Sequence, residues 1–267
     1  MDHHACQEAT RDKGKLLRSG PFSGWGLPEP LSVTAYLPPG YDTSGRHYSM
    51  AIFFDGQNLF DDEGSYRGGW QLHRLLDYRA CQGQRVPIAV GIHTSGWSRG
   101  SILSPWPRDG APALGDRMLD WITGFLIPTI RGEVRVAPGR EGVMIGGSSL
   151  GALMALYAFF RRPDQFGRAL AMSPSLAVDG GQHGPLFPFI EHAPMPGGRI
   201  YLDAGARECE CTSIMRHSGD LAGLLAHKGY RHGHDLVFRP DEEGSHDEAS
   251  WKRRLPGALD FMCHAHA

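Results

Sequence analysis

The stretch Gly147-Ser148-Ser149-Leu150-Gly151 follows the apolar run VMI at residues 143–145 and precedes a helix-forming run at residues 152–161. A G-x-S-x-G pattern between a strand and a helix is typical of a turn so sharp that its central residue is held in a strained backbone conformation. Glycine at both ends removes side chains that would otherwise collide there. We therefore expect Ser149 Oγ to project into a cleft, with the backbone N–H of Leu150 directed to the same place.

The rest of the chain alternates between strand-like and helix-like segments. Apolar or alternating runs predict strands at residues 31–38, 49–54, 86–92, from 143, 168–172, 199–204 and 235–239. Helical spacing of apolar residues predicts helices at 70–80, 116–127, after Ser149, 214–228 and 249–262, with a loop over 94–115. This order predicts an α/β fold with a mainly parallel central sheet and helices on both faces. In such sheets ligands bind at the carboxyl ends of the strands, and Ser149 follows one of these ends.

Composition limits the class of protein. The 267 residues include 41% apolar and 21% charged residues, which is enough for a sizeable core. We predict one domain over residues 1–267, with residues 1–28 as a peripheral or poorly ordered segment. A net charge of −2 without basic blocks argues against nucleic-acid binding. No apolar run approaches the roughly 18 residues of a membrane span, so no membrane partner is expected.

The cysteines and the N-terminus indicate the compartment. The five cysteines are odd in number and form no C-x-x-C pair, which argues against a disulfide framework or a structural zinc site. The first residues are polar and lack the apolar segment of a secretory leader. We predict a cytoplasmic protein without a metal or other cofactor, either a monomer or a homodimer.

A serine hydroxyl is a weak nucleophile that needs a base, and the base needs a carboxylate that orients it. His246 lies just after the last predicted strand and before the last helix, where a base would meet Ser149. Glu208 follows the strand RIYLDA in a turn that can direct a carboxylate at His246. Asp203, within that strand, and Glu210, further into the loop, remain alternatives for the acid.

Two further groups of residues are candidates for the site. An oxyanion hole needs a second N–H beside that of Leu150, and the loop after SMAIFF offers Gln57, with Gly56 as an alternative. The 94–115 loop carries Trp97, Arg99 and Trp106, which could hold an aromatic, anionic acyl group by stacking and charge. The competing interpretation of these three residues is packing and surface charge.

Several segments together resemble one known family. They are TAYLPPGYD (34–42), FDGQNLFD (54–61), Arg99 with LSPW (103–106), the run from GGSSLGALM to MSPSL (146–176), YLDAGARE (201–208) and EGSHDEASWKRRLPGALDF (243–261). The chain is thereby similar to the family of esterases that includes enterochelin (enterobactin) esterases, feruloyl esterases and mycolyltransferases, and most similar to its enterochelin esterase-like branch. Two features depart from the family pattern: Cys209-Glu210-Cys211 directly follows Glu208, and no counterpart of the additional N-terminal domain of enterobactin esterases is recognisable.

The resemblance implies an α/β-hydrolase fold in which Ser149 is the nucleophile, His246 the base and Glu208 the acid. The function expected from it is a serine carboxylic-ester hydrolase that forms an acyl-enzyme on a small ester, with an aromatic (catecholate or feruloyl-type) or short-chain acyl group. Two alternatives stay open at this stage. One is an acyltransferase that uses the same site, and the other is a catalytically silent binding protein with this fold.

Overall fold

An eight-stranded sheet forms the centre of the protein. The structure is a computed structural model, and it describes residues 13–94, 96–108, 110–178, 182–208 and 212–263. The sheet strands are β1 (Lys15–Phe22), β2 (Leu31–Leu37), β3 (Met50–Phe54), β4 (Ile88–Ile92), β5 (Val143–Ser148), β6 (Arg168–Met172), β9 (Arg199–Gly205) and β10 (Leu236–Asp241). A separate two-stranded hairpin consists of β7 (Ala177–Val178) and β8 (Gln182–His183).

The strand order is β1-β2-β4-β3-β5-β6-β9-β10. Strand β2 runs antiparallel to β1 and β4, whereas β4, β3, β5, β6, β9 and β10 are parallel to one another. All residues of β3 and β4 are buried, as expected for short apolar strands covered on both faces. The prediction of a mainly parallel sheet with helices on both faces is therefore confirmed.

Helices cover the sheet and bury two apolar cores, one on each face. They are α1 (Leu72–Cys81), α2 (Arg99–Ile102), α3 (Gly115–Trp121), α4 (Ile127–Glu133), α5 (Leu150–Arg161), α6 (Leu186–His192), α7 (Thr212–His227) and α8 (Glu248–Cys263). Every residue of α5 from Gly151 to Phe160 is buried. A helix that is apolar on all sides packs in the interior. Because α5 begins directly after Ser149, its packing fixes the position of that residue. Within the described ranges, no helix is both long enough and apolar enough to cross a membrane.

Several elements were not predicted from the sequence, among them the hairpin β7–β8, the helix α6 and the strand β1. Strand β1 lies in the segment predicted as peripheral or poorly ordered, and it is an edge strand paired with β2. The 94–115 loop contains the short helix α2. The helix predicted at 116–127 continues to Glu133 through a π-helical segment, Ile122–Leu126. Pro128 lies just beyond that segment and has no N–H for the α-helical ladder, which explains the local change in hydrogen bonding.

The carboxyl ends of β3, β5, β6, β9 and β10 meet at one edge of the sheet. The segments that leave these ends carry Asp55, Ser149, Ser173, Glu208 and His246. The topology therefore gathers residues that are far apart in the chain at this edge.

Candidate active site

Ser149 occupies a sharp turn between β5 and α5. Its backbone has φ 56° and ψ −121°, a strained combination for a residue with a side chain. The turn is so tight that a Cβ on Gly147 would lie 2.9 Å from the carbonyl carbon of Gly151. Glycine at position 147 is therefore required sterically, as the motif suggested.

Ser149, His246 and Glu208 form a continuous chain of hydrogen bonds. His246 Nε2 lies 3.0 Å from Ser149 Oγ, and His246 Nδ1 lies 3.1 Å from Glu208 Oε2. The first pair is 97 residues apart in sequence and the second is 38 residues apart. The ring nitrogens are thus arranged so that one can take a proton from the serine while the other donates to the carboxylate.

The carboxylate of Glu208 is fully buried but well supplied with donors. Its Oε1 accepts hydrogen bonds from Ser173 Oγ at 2.5 Å and from the backbone N–H of Gly205 at 2.7 Å. Burial opposes ionisation, but the hydrogen bonds from His246, Ser173 and Gly205 outweigh it and hold the pKa of Glu208 below its usual value. The group is therefore a carboxylate at neutral pH.

A buried arginine lies behind Glu208. Arg254 Nη2 is 3.6 Å from Glu208 Oε1, Arg254 Nε is 3.3 Å from Asp203 Oδ2, and Arg254 Nη1 is 3.7 Å from Asp241 Oδ2. Arg254 Nη2 also donates to Ser173 Oγ at 2.8 Å, and Trp251 Nε1 donates to the same oxygen at 3.0 Å. This cluster ties α8 to the loops that carry Glu208 and His246.

The alternative acids lie elsewhere. Asp203 is fully buried, and its carboxylate accepts the backbone N–H of Ser173 at 3.1 Å and pairs with Arg254, with no hydrogen bond to His246 among the described residues. Burial raises the pKa of Asp203 to about 7, because Arg254 offsets only part of the cost of desolvation. Glu210 lies outside the described residues. Of the described carboxylates, Glu208 is the one that contacts His246.

Sequence reasoning missed Ser175, which lies against the nucleophile. Ser175 Oγ is 3.1 Å from Ser149 Oγ, and the backbone N–H of Ser175 donates to the Ser149 carbonyl oxygen at 3.2 Å. Its position after β6 was an available signal, since residues that leave parallel strands collect at the same edge.

The two predicted oxyanion donors are backbone N–H groups without acceptors in their own turns. Leu150 is the first residue of α5, so its N–H has no partner within the helix. Gln57 is the middle residue of a single 3₁₀ turn, Gly56–Asn58, whose internal hydrogen bond begins only at Asn58 N–H. Gly56 packs against β4, where an added Cβ would lie 2.3 Å from the carbonyl carbon of Gly91. Gly56 therefore fixes how closely this turn approaches the sheet.

Arg99, predicted to contact substrate, lines the same cavity as Ser149 and is also paired with Asp55. Arg99 Nε and Nη2 bind the two oxygens of Asp55 at 2.7 and 2.6 Å. Thr94 Oγ1 donates to Asp55 Oδ1 at 2.6 Å, and Gln57 Nε2 donates to the same oxygen at 3.2 Å. Asp55 is itself in a left-handed conformation, φ 55° and ψ 46°. The ion pair thus holds the turn that presents the Gln57 N–H.

Replacing Arg99 by methionine is expected to weaken both the fold and the reaction. The buried Asp55 would lose its bidentate partner. Removing one partner of a fully buried ion pair lowers the free energy of unfolding by about 3–5 kcal/mol, and the loss should be smaller here because the guanidinium is partly exposed. Movement of the turn would lower kcat by about tenfold or more, as expected when an oxyanion donor shifts. Thermal unfolding and ester hydrolysis measure the two effects.

The double variant Asp55→Asn/Arg99→Met is the matched control. Asparagine tolerates the left-handed backbone and still accepts the Thr94 hydrogen bond, but it carries no charge that needs a partner. The double variant should therefore recover much of the stability lost by Arg99→Met. Equal destabilisation in both variants would show that the ion pair is not what holds the turn.

The two tryptophans of the 94–115 loop lie in different surroundings. Trp97 is 81% exposed and is not among the residues that line the two cavities described below, so its contact with substrate stays a prediction. The adjacent Ser98 is tied to Glu29, whose Oε2 accepts its N–H at 2.9 Å and its hydroxyl at 2.5 Å, and this fixes the loop at the periphery. Trp106 is half-buried and packs edge-on against Tyr157 and Phe189, at 5.4 and 6.0 Å between ring centroids.

One cavity is lined by Ser149 itself, and a second is lined by its neighbour Ser175. The larger, about 690 Å³, is lined by Ser149, His246, Gln57, Arg99, Glu248 and Trp251, with Tyr66 and Arg67 among its other residues. The smaller, about 140 Å³, is lined by Ser175, Trp106, Leu153, Leu176 and Leu186 together with polar residues that include the exposed Arg108. In the described parts of the chain, no group of three or more His, Cys, Asp or Glu residues is placed to hold a metal ion.

Comparison with known proteins identifies the family. The family described as "Putative esterase" matches residues 26–262, which is most of the chain. The chain belongs to this esterase family. It is an enzyme that hydrolyses esters, and its fold is that of the α/β-hydrolase esterases. The predicted resemblance to the enterochelin esterase-like branch is confirmed.

Related sequences agree with this assignment. A protein of Bacillus subtilis (strain 168) described as "Uncharacterized protein YbbA" is 29% identical over 246 residues, which is 86% of this chain and 91% of that protein. The iron(III) enterobactin esterase of Escherichia coli (strain K12) is 29% identical over 145 residues. That match covers 51% of this chain and only 34% of the relative, so the chain spans about a third of that enzyme.

Solved structures share the fold. A ferulic acid esterase superposes with a TM-score of 0.72 at 17% identity, covering 94% of this chain and 98% of that one. The ferric enterobactin esterase of Salmonella typhimurium superposes with a TM-score of 0.75 at 18% identity, covering 95% of this chain and 60% of that one. At these identities the likeness establishes the architecture alone.

Proposed function

We propose that the protein is a serine carboxylic-ester hydrolase that works through an acyl-enzyme, with Ser149 as nucleophile, His246 as general base and Glu208 as the orienting acid. The observation that carries this proposal is the chain of hydrogen bonds from Ser149 Oγ to His246 Nε2 and from His246 Nδ1 to Glu208, at 3.0 and 3.1 Å. These distances lie within the reach that proton transfer requires.

In the first half of the proposed reaction, Ser149 Oγ attacks the ester carbonyl carbon while His246 Nε2 takes the hydroxyl proton. The carbonyl oxygen becomes an oxyanion that accepts hydrogen bonds from the N–H groups of Leu150 and Gln57. As the tetrahedral intermediate collapses, the carbon–oxygen bond to the alcohol breaks. His246 returns its proton to the departing alkoxide, and the acyl group remains on Ser149.

In the second half, a water molecule takes the place of the alcohol. His246 removes a proton from the water, the hydroxide adds to the acyl carbon, and Ser149 leaves with the proton returned from His246. Throughout the cycle Glu208 stays ionised, fixes the tautomer of the imidazole and stabilises the imidazolium. The hydrogen bonds that hold the pKa of Glu208 below its usual value support this role.

The proposed substrates are small esters. The similarity to an enterobactin esterase and a ferulic acid esterase supports esters with an aromatic acyl group, and the size of the cavities also allows short acyl chains. The monomeric or homodimeric state and the cytoplasmic location remain predictions from the sequence.

Covalent labelling tests the proposal. A fluorophosphonate should attach to one serine with loss of hydrolysis of p-nitrophenyl butyrate, and peptide mass spectrometry should locate the adduct on Ser149. An adduct on another residue, or full labelling with full retained activity, would contradict the proposed mechanism.

A further inference from the structure

The two cavities beside Ser149 differ in size and chemistry, and together they suggest which part of the ester each one takes. Ser149, His246 and Gln57 all line the larger cavity. The smaller cavity is bounded by the apolar side chains of Trp106, Leu153, Leu176 and Leu186, with the polar residues Ser104, Arg108 and Ser175 also in its lining. Its polar residue nearest the chemistry is Ser175.

Ser149 is not among the residues that line the smaller cavity, but Ser175 connects this cavity to the nucleophile. Leu153 and Ser175, which both line it, donate their backbone N–H groups to the carbonyl oxygen of Ser149 at 3.1 and 3.2 Å. Ser175 Oγ also lies 3.1 Å from Ser149 Oγ. A substituent on Ser149 Oγ that extends past Ser175 would enter this cavity.

The position of His246 indicates which cavity receives the alcohol part of the ester and which receives the acyl part. The proposed general acid must protonate the departing alcohol oxygen, so the alcohol part of the ester lies in the cavity that contains His246. His246 lines the larger cavity and is not among the described residues that line the smaller one. The acyl substituent points away from the leaving group, on the side of Ser175 and Leu153.

We propose that the smaller cavity is the acyl pocket and that Leu153 and Trp106 limit the length of the acyl group. The smaller cavity, at about 140 Å³, is close in size to a cavity of about 150 Å³ that holds one benzene molecule, so it has room for a single ring or a short acyl chain. The Trp106 ring is held by its contacts with Tyr157 and Phe189, which limits how far this wall can yield. Esters of compact apolar acids are therefore the substrate class. This inference rests on the proposed acyl-enzyme mechanism.

The experiment measures kcat/KM for p-nitrophenyl acetate, butyrate, hexanoate, octanoate and decanoate with the full chain. In the wild type, kcat/KM should fall by about tenfold or more from hexanoate to decanoate. Leu153→Phe, which fills part of the pocket, should lower the hexanoate-to-acetate ratio by about tenfold. Leu153→Ala and Trp106→Ala, which enlarge it, should instead raise the decanoate-to-hexanoate ratio.

Leu17→Phe is the matched control, because Leu17 lies on the exposed edge strand β1 and its profile should be that of the wild type. Thermal unfolding identifies any variant that does not fold. Leu153→Phe should shift the chain-length preference towards shorter acyl groups, whereas Leu153→Ala and Trp106→Ala should shift it towards longer ones. A general loss of stability would not produce shifts in opposite directions. Profiles that coincide with the wild type in all folded pocket variants would overturn the assignment of the acyl pocket. Activity that persists in Ser149→Ala would instead overturn the proposed mechanism, so the two failures are distinguishable.

Discussion

Replacing Ser149 by alanine is expected to reduce kcat for p-nitrophenyl butyrate by a factor on the order of 10³–10⁶. The variant lacks the oxygen that attacks the ester, and only the oxyanion donors and binding remain. Alanine tolerates the strained backbone at φ 56° no better and no worse than serine, so the thermal unfolding midpoint should change little. Steady-state hydrolysis and thermal unfolding measure the two quantities.

Ser175→Ala is the control that makes this test specific. The hydroxyls of Ser149 and Ser175 are only 3.1 Å apart, so a loss of activity on removal of one does not by itself identify the nucleophile. His246 contacts Ser149, and no hydrogen bond between His246 and Ser175 is found among the described residues. The kcat of Ser175→Ala should therefore fall by about tenfold or less, because only the orientation of the Ser149 hydroxyl is weakened. A larger loss in Ser175→Ala than in Ser149→Ala would reverse the assignment.

The central residues of the site could be predicted from the sequence because each follows a recognisable strand. The alternation of strands and helices predicted a parallel sheet, and the strand ends at residues 148, 205 and 241 then bring Ser149, Glu208 and His246 to the same edge. This prediction did not need the tertiary structure, because the carboxyl ends of the strands meet at one edge in any parallel sheet of this kind.

The supporting residues could not be predicted in this way. Arg254 belongs to a run of charged residues in α8 that is typical of a solvated helix face, yet its guanidinium is buried against Ser173, 81 residues earlier. Arg99 was a candidate for substrate contact because aromatic and basic residues surround it, and its partner Asp55 lies 44 residues away. Such pairs depend on packing between distant segments, which local patterns do not encode.

Replacing Glu208 by glutamine is expected to lower kcat by a factor on the order of 10³–10⁴. Glutamine is nearly isosteric but lacks the charge that stabilises the imidazolium, and its amide can present a donor where His246 requires an acceptor. The stability effect has a definite pH dependence. The folded pKa of Glu208 is lowered, so its ionisation stabilises the fold above the ordinary pKa, and this stabilisation is lost as the pH falls through the folded value. Glu208→Gln should therefore be less stable than the wild type at neutral pH, with the difference shrinking in acid.

Asp203→Asn should give the opposite pH signature and thereby separates the two carboxylates. Burial raises the pKa of Asp203 from 3.8 to about 7, so between these pH values the unfolded chain has lost a proton that the folded protein keeps. The wild type loses stability over this range as the pH rises, whereas asparagine does not titrate, so the unfolding midpoint of Asp203→Asn should rise relative to the wild type between about pH 4 and pH 7. Because Asp203 makes no described contact with His246, kcat should fall by about tenfold or less. A loss of kcat in Asp203→Asn as large as that in Glu208→Gln would mean that the acid function is shared between the two carboxylates through Arg254 and Ser173.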